Sequence, residues 1–254
     1  MLYLDYLAYN NALGQVSVVE KMLLGGGSLL IVLLLPQPIT LLAVILLMHG
    51  VMLYAKIPVS YLLQLWLTPL AFLVTGLISV IVSGSLEAFP ALVLWQIGPL
   101  YLGVTMAGLI TAQGLLLHST AAVSCLFMLA TTTPVAHIAA YLSRCAPLRL
   151  LMEISLLTYR FIFVFLACVG QIYLAQQSRL GYAGMGRSLK SLSLLAANVG
   201  RKSFITATDL YTALLARNYN DQLVFQYSRQ LVKPVRLILI AGLLAALCAT
   251  TLIG

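Results

Sequence analysis

Charged residues are so sparse that they divide the chain into long uncharged runs, and those runs limit what it can fold into. None occurs between Lys21 and Lys56, between Lys56 and Glu87, or between Glu87 and Arg144. A soluble domain carries about a quarter charged residues; here the share is 8%, against 62% apolar, with a mean hydropathy of +1.04. Burying one ionised side chain at mid-bilayer costs roughly 2.5–3.5 kcal/mol on insertion scales, so the chain crosses lipid only between charges. The runs are long and do not alternate, which excludes the strands of a membrane barrel. The sequence therefore predicts an all-α polytopic membrane protein with about five spans and a region of long helices outside the lipid.

The charges that remain orient it. Of 14 Lys and Arg, only Lys21 and Lys56 precede Arg144, and the rest fall between Arg144 and Arg236. The positive-inside rule places that block on the cytoplasmic side, so the net charge of +8 reflects membrane orientation and not nucleic-acid binding. Cys125, Cys145, Cys168 and Cys248 lack C-x-x-C spacing and are expected to be packing residues. The first residues lack the basic and apolar regions of a signal peptide, so insertion is expected to rely on the first span.

Prolines and glycines punctuate the runs. Pro36-Gln37-Pro38 predicts a turn joining two short arms of a helical hairpin, with Lys21 and Lys56 on one face of the membrane. A span follows to about Val82, with Glu87 marking the outer side. Charge bias then favours one further span, roughly Tyr101 to Ala130, preceded by an outer segment holding Pro90 and Pro99. Thr131-Thr132-Thr133-Pro134 ends it and opens a short helix to about Arg144. After a break at Pro147 a long helix runs to Ser178. Its stretch Phe161 to Ser178 is uncharged enough to be a span, but Gln171, Gln176, Gln177 and the basic residues beyond favour a place near the cytoplasmic surface. Gly181, Gly184 and Gly186 make a turn-rich connection, since no strand and no P-loop lysine accompany them. Ser188 to about Arg217 is a second long helix of mixed polarity, and Leu237 to Ile253 a last span that leaves the C-terminus outside. The expected divisions are residues 1–130, 131–236 and 237–254.

No constellation for catalysis or metal binding is visible. The six carboxylates do not cluster, and His49, His118 and His137 have no partner at ligand spacing, so packing roles are expected. Asp5, Glu20 and Lys21 read as juxtamembrane charges. Glu153 and Arg160, two helical turns apart, are either a polar seam or a solvated pair.

A resemblance then becomes specific. Leu129-Ala130-Thr131-Thr132-Thr133-Pro134, then Leu157-Thr158-Tyr159-Arg160-Phe161-Ile162-Phe163-Val164, then an arginine closing each of two long helices, resemble the transmembrane T-component of energy-coupling factor (ECF) transporters. The Tyr-Arg-Phe-Ile-Phe-Val string is most similar to the cobalt and nickel branch, CbiQ. That resemblance implies a non-catalytic scaffold in the prokaryotic cytoplasmic membrane, between a metal-binding membrane S-component and two ABC-type ATPases. ATP is bound and hydrolysed by those partners, and no cofactor is expected in this chain. The family's two coupling helices each end in a motif usually written Ala-Arg-Gly, whose arginine docks in an ATPase groove. The matching positions are Ser178-Arg179-Leu180 and Ala216-Arg217-Asn218; both keep the arginine, and both depart from glycine at the third place. Arg179 and Arg217 are thus the implied coupling residues of an ATP-driven importer for cobalt or nickel. The rival class, a stand-alone secondary transporter, calls for polar residues inside several spans and broken helices in two halves. Those features are scarce here.

Overall fold

The computed structural model describes residues 3–85, 93–97, 100–219 and 232–253. Glu87, Pro90, Pro99 and Arg229 lie outside the described residues. The chain forms two compact units, one of residues 2–135 with 229–254 and one of residues 136–228.

In the first unit, helix α5 (Met106–Thr132) is touched by α1 (Tyr3–Tyr9), α2 (Val18–Leu34), α3 (Pro38–Tyr54) and α4 (Val59–Ile81). The last helix, α9 (Pro234–Ile253), packs on α2 and α3. The expected hairpin is present: α2 ends at Leu34, Gln37 is extended, and Pro38 opens α3, where its missing N–H leaves no orphan donor. Val32, Val44, Met48, Met52 and Cys125 are fully buried at the centre. The run Gly25-Gly26-Gly27 makes this packing possible. A Cβ on Gly25 would stand 2.9 Å from Leu129 Cδ1 of α5, and one on Gly27 would stand 2.8 Å from Leu244 Cδ1 of α9. Two residues apart on a helix face nearly opposite ways, so small residues let α2 be approached closely from both sides. Helix α4 buries only Leu62, as a lipid-facing helix should.

Between α4 and α5 the chain forms a small antiparallel sheet in the order β1-β3-β2, from Val82–Ser85, Leu100–Val104 and Val93–Ile97. The segment expected simply as an outer loop is thus paired, and the span expected from Tyr101 begins at Met106. Pairing holds Tyr101 opposite Ser85 and Gln96, and Thr105 Oγ1 accepts from Gly108 N at 3.1 Å to cap the new helix. The fold nevertheless remains that of a helical polytopic membrane protein.

The second unit holds α6 (Val135–Leu142), a 3-10 turn at Ala146–Leu148, α7 (Arg149–Ser178) and α8 (Met185–Leu215). Ala136 and Ala139 of α6 bury against Leu156, flanked by Met152 and Tyr159. The break falls at Pro147 as expected, while α8 starts three residues before the expected Ser188. Among the described residues, three segments are long and apolar enough to cross a bilayer by length and composition: Val59–Ile81, Met106–Thr132 and Ala146–Ser178.

Several side chains differ from expectation. Asp5, Glu20 and Lys21 are buried within the protein, where Glu20 meets the Lys233 N–H and Lys21 the Thr132 carbonyl. Glu153 is also buried and pairs with Arg149 at 3.1 Å, one turn away, leaving Arg160 exposed; the closer cation wins. Cys125 and Cys168 are buried as packing residues, whereas Cys145 and Cys248 are exposed.

Candidate functional site

The two arginines close their helices in the same way. At the end of α7 the N–H of Leu180 donates to Gln177 O at 3.0 Å and that of Gly181 to Gln176 O at 2.9 Å. At the end of α8 the N–H of Asn218 donates to Leu215 O at 3.1 Å and that of Tyr219 to Leu214 O at 3.1 Å. Each pair of bonds is the Schellman arrangement, with the arginine as the last half-helical residue and the next residue left-handed. Leu180 has φ 57° and Asn218 φ 59°. A glycine is the unstrained choice there, which gives the third position of the arginine motif a physical meaning. The chain keeps the turn but places a leucine and an asparagine in it.

That turn aims each arginine outward. Both Arg179 and Arg217 are exposed, as are Ser178, Leu180, Ala216 and Asn218. Among the described residues neither guanidinium has a hydrogen-bond or ion-pair partner, so each planar five-donor fork is available to an external acceptor.

The first end is braced from inside. Gln176 Nε2 donates to Ser191 O at 3.0 Å, Tyr182 Oη donates to Gln176 Oε1 at 2.7 Å, and Ser191 Oγ donates to Gly181 O at 2.8 Å. Tyr173 and Tyr182 rings lie 4.8 Å apart. These contacts fix α7 and α8 as a helical hairpin with Arg179 at its tip. Helix α8 has 31 residues. At about 1.5 Å per residue the helix is on the order of 45 Å long, which sets Arg217 at the far end of the hairpin. Toward that end an open groove of about 640 Å³ lies between the helices, walled by Phe161, Phe165, Leu210, Tyr211, Leu214 and Tyr219 among others.

In the other unit, the Thr131-Thr132-Thr133 run forms a buried helix end. Thr131 Oγ1 donates to Phe127 O at 2.7 Å and Thr132 Oγ1 to Met128 O at 2.6 Å. Lys21 Nζ donates to Thr132 O at 2.8 Å, and Asn11 Nδ2 to the same carbonyl at 3.2 Å. Two side chains from the N-terminal segment therefore satisfy the last carbonyls of α5, where a cation also complements the helix dipole. Sequence reasoning missed Asn11 and Lys21; the only signal was a charge one turn inside an apolar helix.

His49 is held by its neighbours. His49 Nδ1 lies 2.9 Å from Ile45 O, and Trp66 Nε1 donates to His49 Nε2 at 3.1 Å. An indole N–H only donates, so Nε2 accepts and the proton of the neutral ring sits on Nδ1. Trp66 also meets Phe127 edge-on at 5.4 Å. Among the described residues no group of three or more His, Cys, Asp or Glu is placed to hold a metal ion.

Comparison with known proteins places these elements in a family. The family model for CbiQ, cobalt transport protein, matches residues 10–227. The cobalt transport protein CbiQ of Rhodobacter capsulatus is 32% identical over 231 residues, covering 91% of this chain and 89% of that protein. The CbiQ of Salmonella typhimurium is 32% identical over 151 residues, covering 59% of this chain and 67% of that protein. A protein of Methanocorpusculum labreanum, provisionally named as a fused cobalt transport protein CbiMQ, is 26% identical over 260 residues, 98% of this chain and 42% of its own length.

Proposed function

The chain belongs to the CbiQ family of cobalt transport proteins and is a multi-pass membrane component of such a system; from that premise we propose that it is the coupling subunit of an ATP-driven importer. In this reading two ABC-type ATPases dock on Arg179 and Arg217, and a membrane S-component selects the ion, cobalt or nickel. The chain carries motion from one to the other in the prokaryotic cytoplasmic membrane.

The observation that carries the reading is the repeated geometry at the two helix ends. Two identical turns, each presenting an unengaged arginine at an end of one rigid hairpin, suit two copies of one receptor better than they suit solvent. The fused relative, named for two transport components in one chain, supports a membrane partner at close quarters. The chain contains no P-loop, which fits hydrolysis by partners.

Cobalt uptake separates this from a stand-alone transporter. Cells lacking their own uptake system receive this chain alone, or together with candidate ABC-type ATPases and a candidate membrane S-component from its own source, and accumulation of cobalt and of nickel is measured. The coupling reading expects uptake only from the full set, dependent on ATP. Uptake by the chain alone, driven by an ion gradient, contradicts it.

A further inference from the structure

Two cavities adjoin in the first unit where α2, α9 and the segment before α2 meet. One, of about 500 Å³, has Gln15, Glu20, Tyr54, Lys233 and Arg236 in its wall. The other, of about 440 Å³, has an almost wholly apolar surface, walled by Leu24, Leu47, Val51, Met128 and Ile240 among others, although Glu20 and Lys21 also reach its edge. Leu13, Val16 and Glu20 belong to both walls. A charged chamber that shares a wall with an apolar one has the polarity profile of an amphiphile with one head and one tail.

The polar groups have bonding capacity left over. Glu20 is 1% exposed. Its Oε1 accepts the Lys233 N–H at 2.9 Å, at the start of α9, but among the described residues its buried Oε2 has no hydrogen bond and stands 3.8 Å from Arg236 Nη1. A buried carboxylate oxygen without a donor is costly, and it calls for one from whatever fills the cavity. Arg236 and Lys233 are exposed, and among the described residues Arg236 meets only the Glu20 carboxylate and no partner is seen for the Lys233 ammonium. Their planar fork and ammonium suit a phosphate, the anionic group of a glycerophospholipid head.

We propose that these paired cavities bind one membrane glycerophospholipid, its phosphate on Arg236 and Lys233, a hydrogen-bond donor of its headgroup on Glu20 Oε2, and an acyl chain in the apolar chamber. Ethanolamine and glycerol headgroups carry such a donor; choline does not. The lipid thereby fills the junction of α2 with α9, and its role is separate from the arginine docking above.

Native mass spectrometry of the full-length chain in detergent tests this, with phosphatidylethanolamine, phosphatidylglycerol and phosphatidylcholine supplied in equal amounts. One lipid is expected per chain, the first two kept over choline lipid by about tenfold, the ratio that one charge-assisted bond supports. Glycerophosphoethanolamine, the headgroup without chains, should not be retained. Lys233→Ala should weaken retention several-fold with unchanged melting temperature, and Lys233→Ala with Arg236→Ala by about tenfold or more. Equal retention of choline lipid, equal binding of the chainless headgroup, or undiminished lipid on the folded double variant overturns the assignment.

Discussion

The two units differ in what they do with polarity. In residues 2–135 with 229–254, several charged and hydroxyl side chains turn inward and bond within the unit: Lys21 and Asn11 on the end of α5, Glu20 Oε1 on the start of α9, the threonines on their own helix. In residues 136–228 most of α7 and α8 is exposed; α7 buries Glu153, Leu156 and Cys168, and α8 buries Ser191 alone. Large apolar side chains such as Met185 and Phe204 are more than four-fifths exposed. A helix hairpin of that kind is held by its tip and its local pairs, and its remaining apolar area calls for lipid or another protein. The first unit is thus organised as a base, and the second as a surface for others. Substitutions in the first should cost stability, and substitutions at the arginines of the second should cost association.

The largest stability effect is expected at Glu20. Glu20→Ala leaves the Lys233 N–H without its acceptor and removes the carboxylate beside the buried Lys21 and the exposed Arg236. Breaking a buried pair from one side costs about 3–5 kcal/mol. Thermal melting of the detergent-solubilised chain should show it as a large fall in midpoint; a shift no greater than that of an exposed control such as Arg187→Ala would remove the contrast between the units.

Much of that contrast was not legible in the sequence, for a physical reason. A charge at the edge of an apolar run reads as juxtamembrane, because sequence distance carries no sign of which carbonyl waits across the fold. Lys21 finds one on Thr132 and Glu20 finds an amide on Lys233, 111 and 213 residues away. The small sheet escaped similarly, since strands of four and five residues leave too short a pattern to register. What was legible rests on local chemistry: the Pro36-Gln37-Pro38 hairpin, the helix end at Thr131–Pro134, the break at Pro147 and the end of α7 at Ser178. The arginine positions were found through resemblance. Their shared left-handed turn needed coordinates, because neither leucine nor asparagine announces a positive φ as glycine does.

A middling effect is expected at the hairpin tip. A Cβ on Gly181 would stand 2.7 Å from Ser191 Oγ and 2.9 Å from Gln176 O, the second being backbone that cannot swing aside. Gly181→Ala should cost about 1–3 kcal/mol by overpacking. Protease accessibility around residues 179–184 should rise while the melting of the first unit stays unchanged. A rise in accessibility accompanied by a fall in the first unit's melting would show that the units do not respond independently.

The smallest effect sharpens the meaning of the motif. Leu180→Gly relieves a left-handed leucine and should stabilise the tip by about 1 kcal/mol or less, after glycine's extra unfolded-state entropy is subtracted. Asn218→Gly should gain only a few tenths, since asparagine tolerates that region. Both should preserve ATPase association, because the arginine keeps its place. Weaker association after either change would mean that the side chain at the third position itself meets the partner.

The most direct measurement is recovery of the ATPases with the tagged, membrane-extracted chain carrying Arg179→Ala and Arg217→Ala together, at matched expression and with cobalt uptake followed in the same cells. Neither arginine contributes a bond within the described fold, so the melting temperature should not change. Each single replacement should leave partial recovery through the remaining anchor, and the double replacement should lose the ATPases and transport together. Lysine at either position should restore little, because an ammonium lacks the planar fork. A folded double variant that still recovers its ATPases and takes up cobalt normally contradicts the proposed role of these two helix ends.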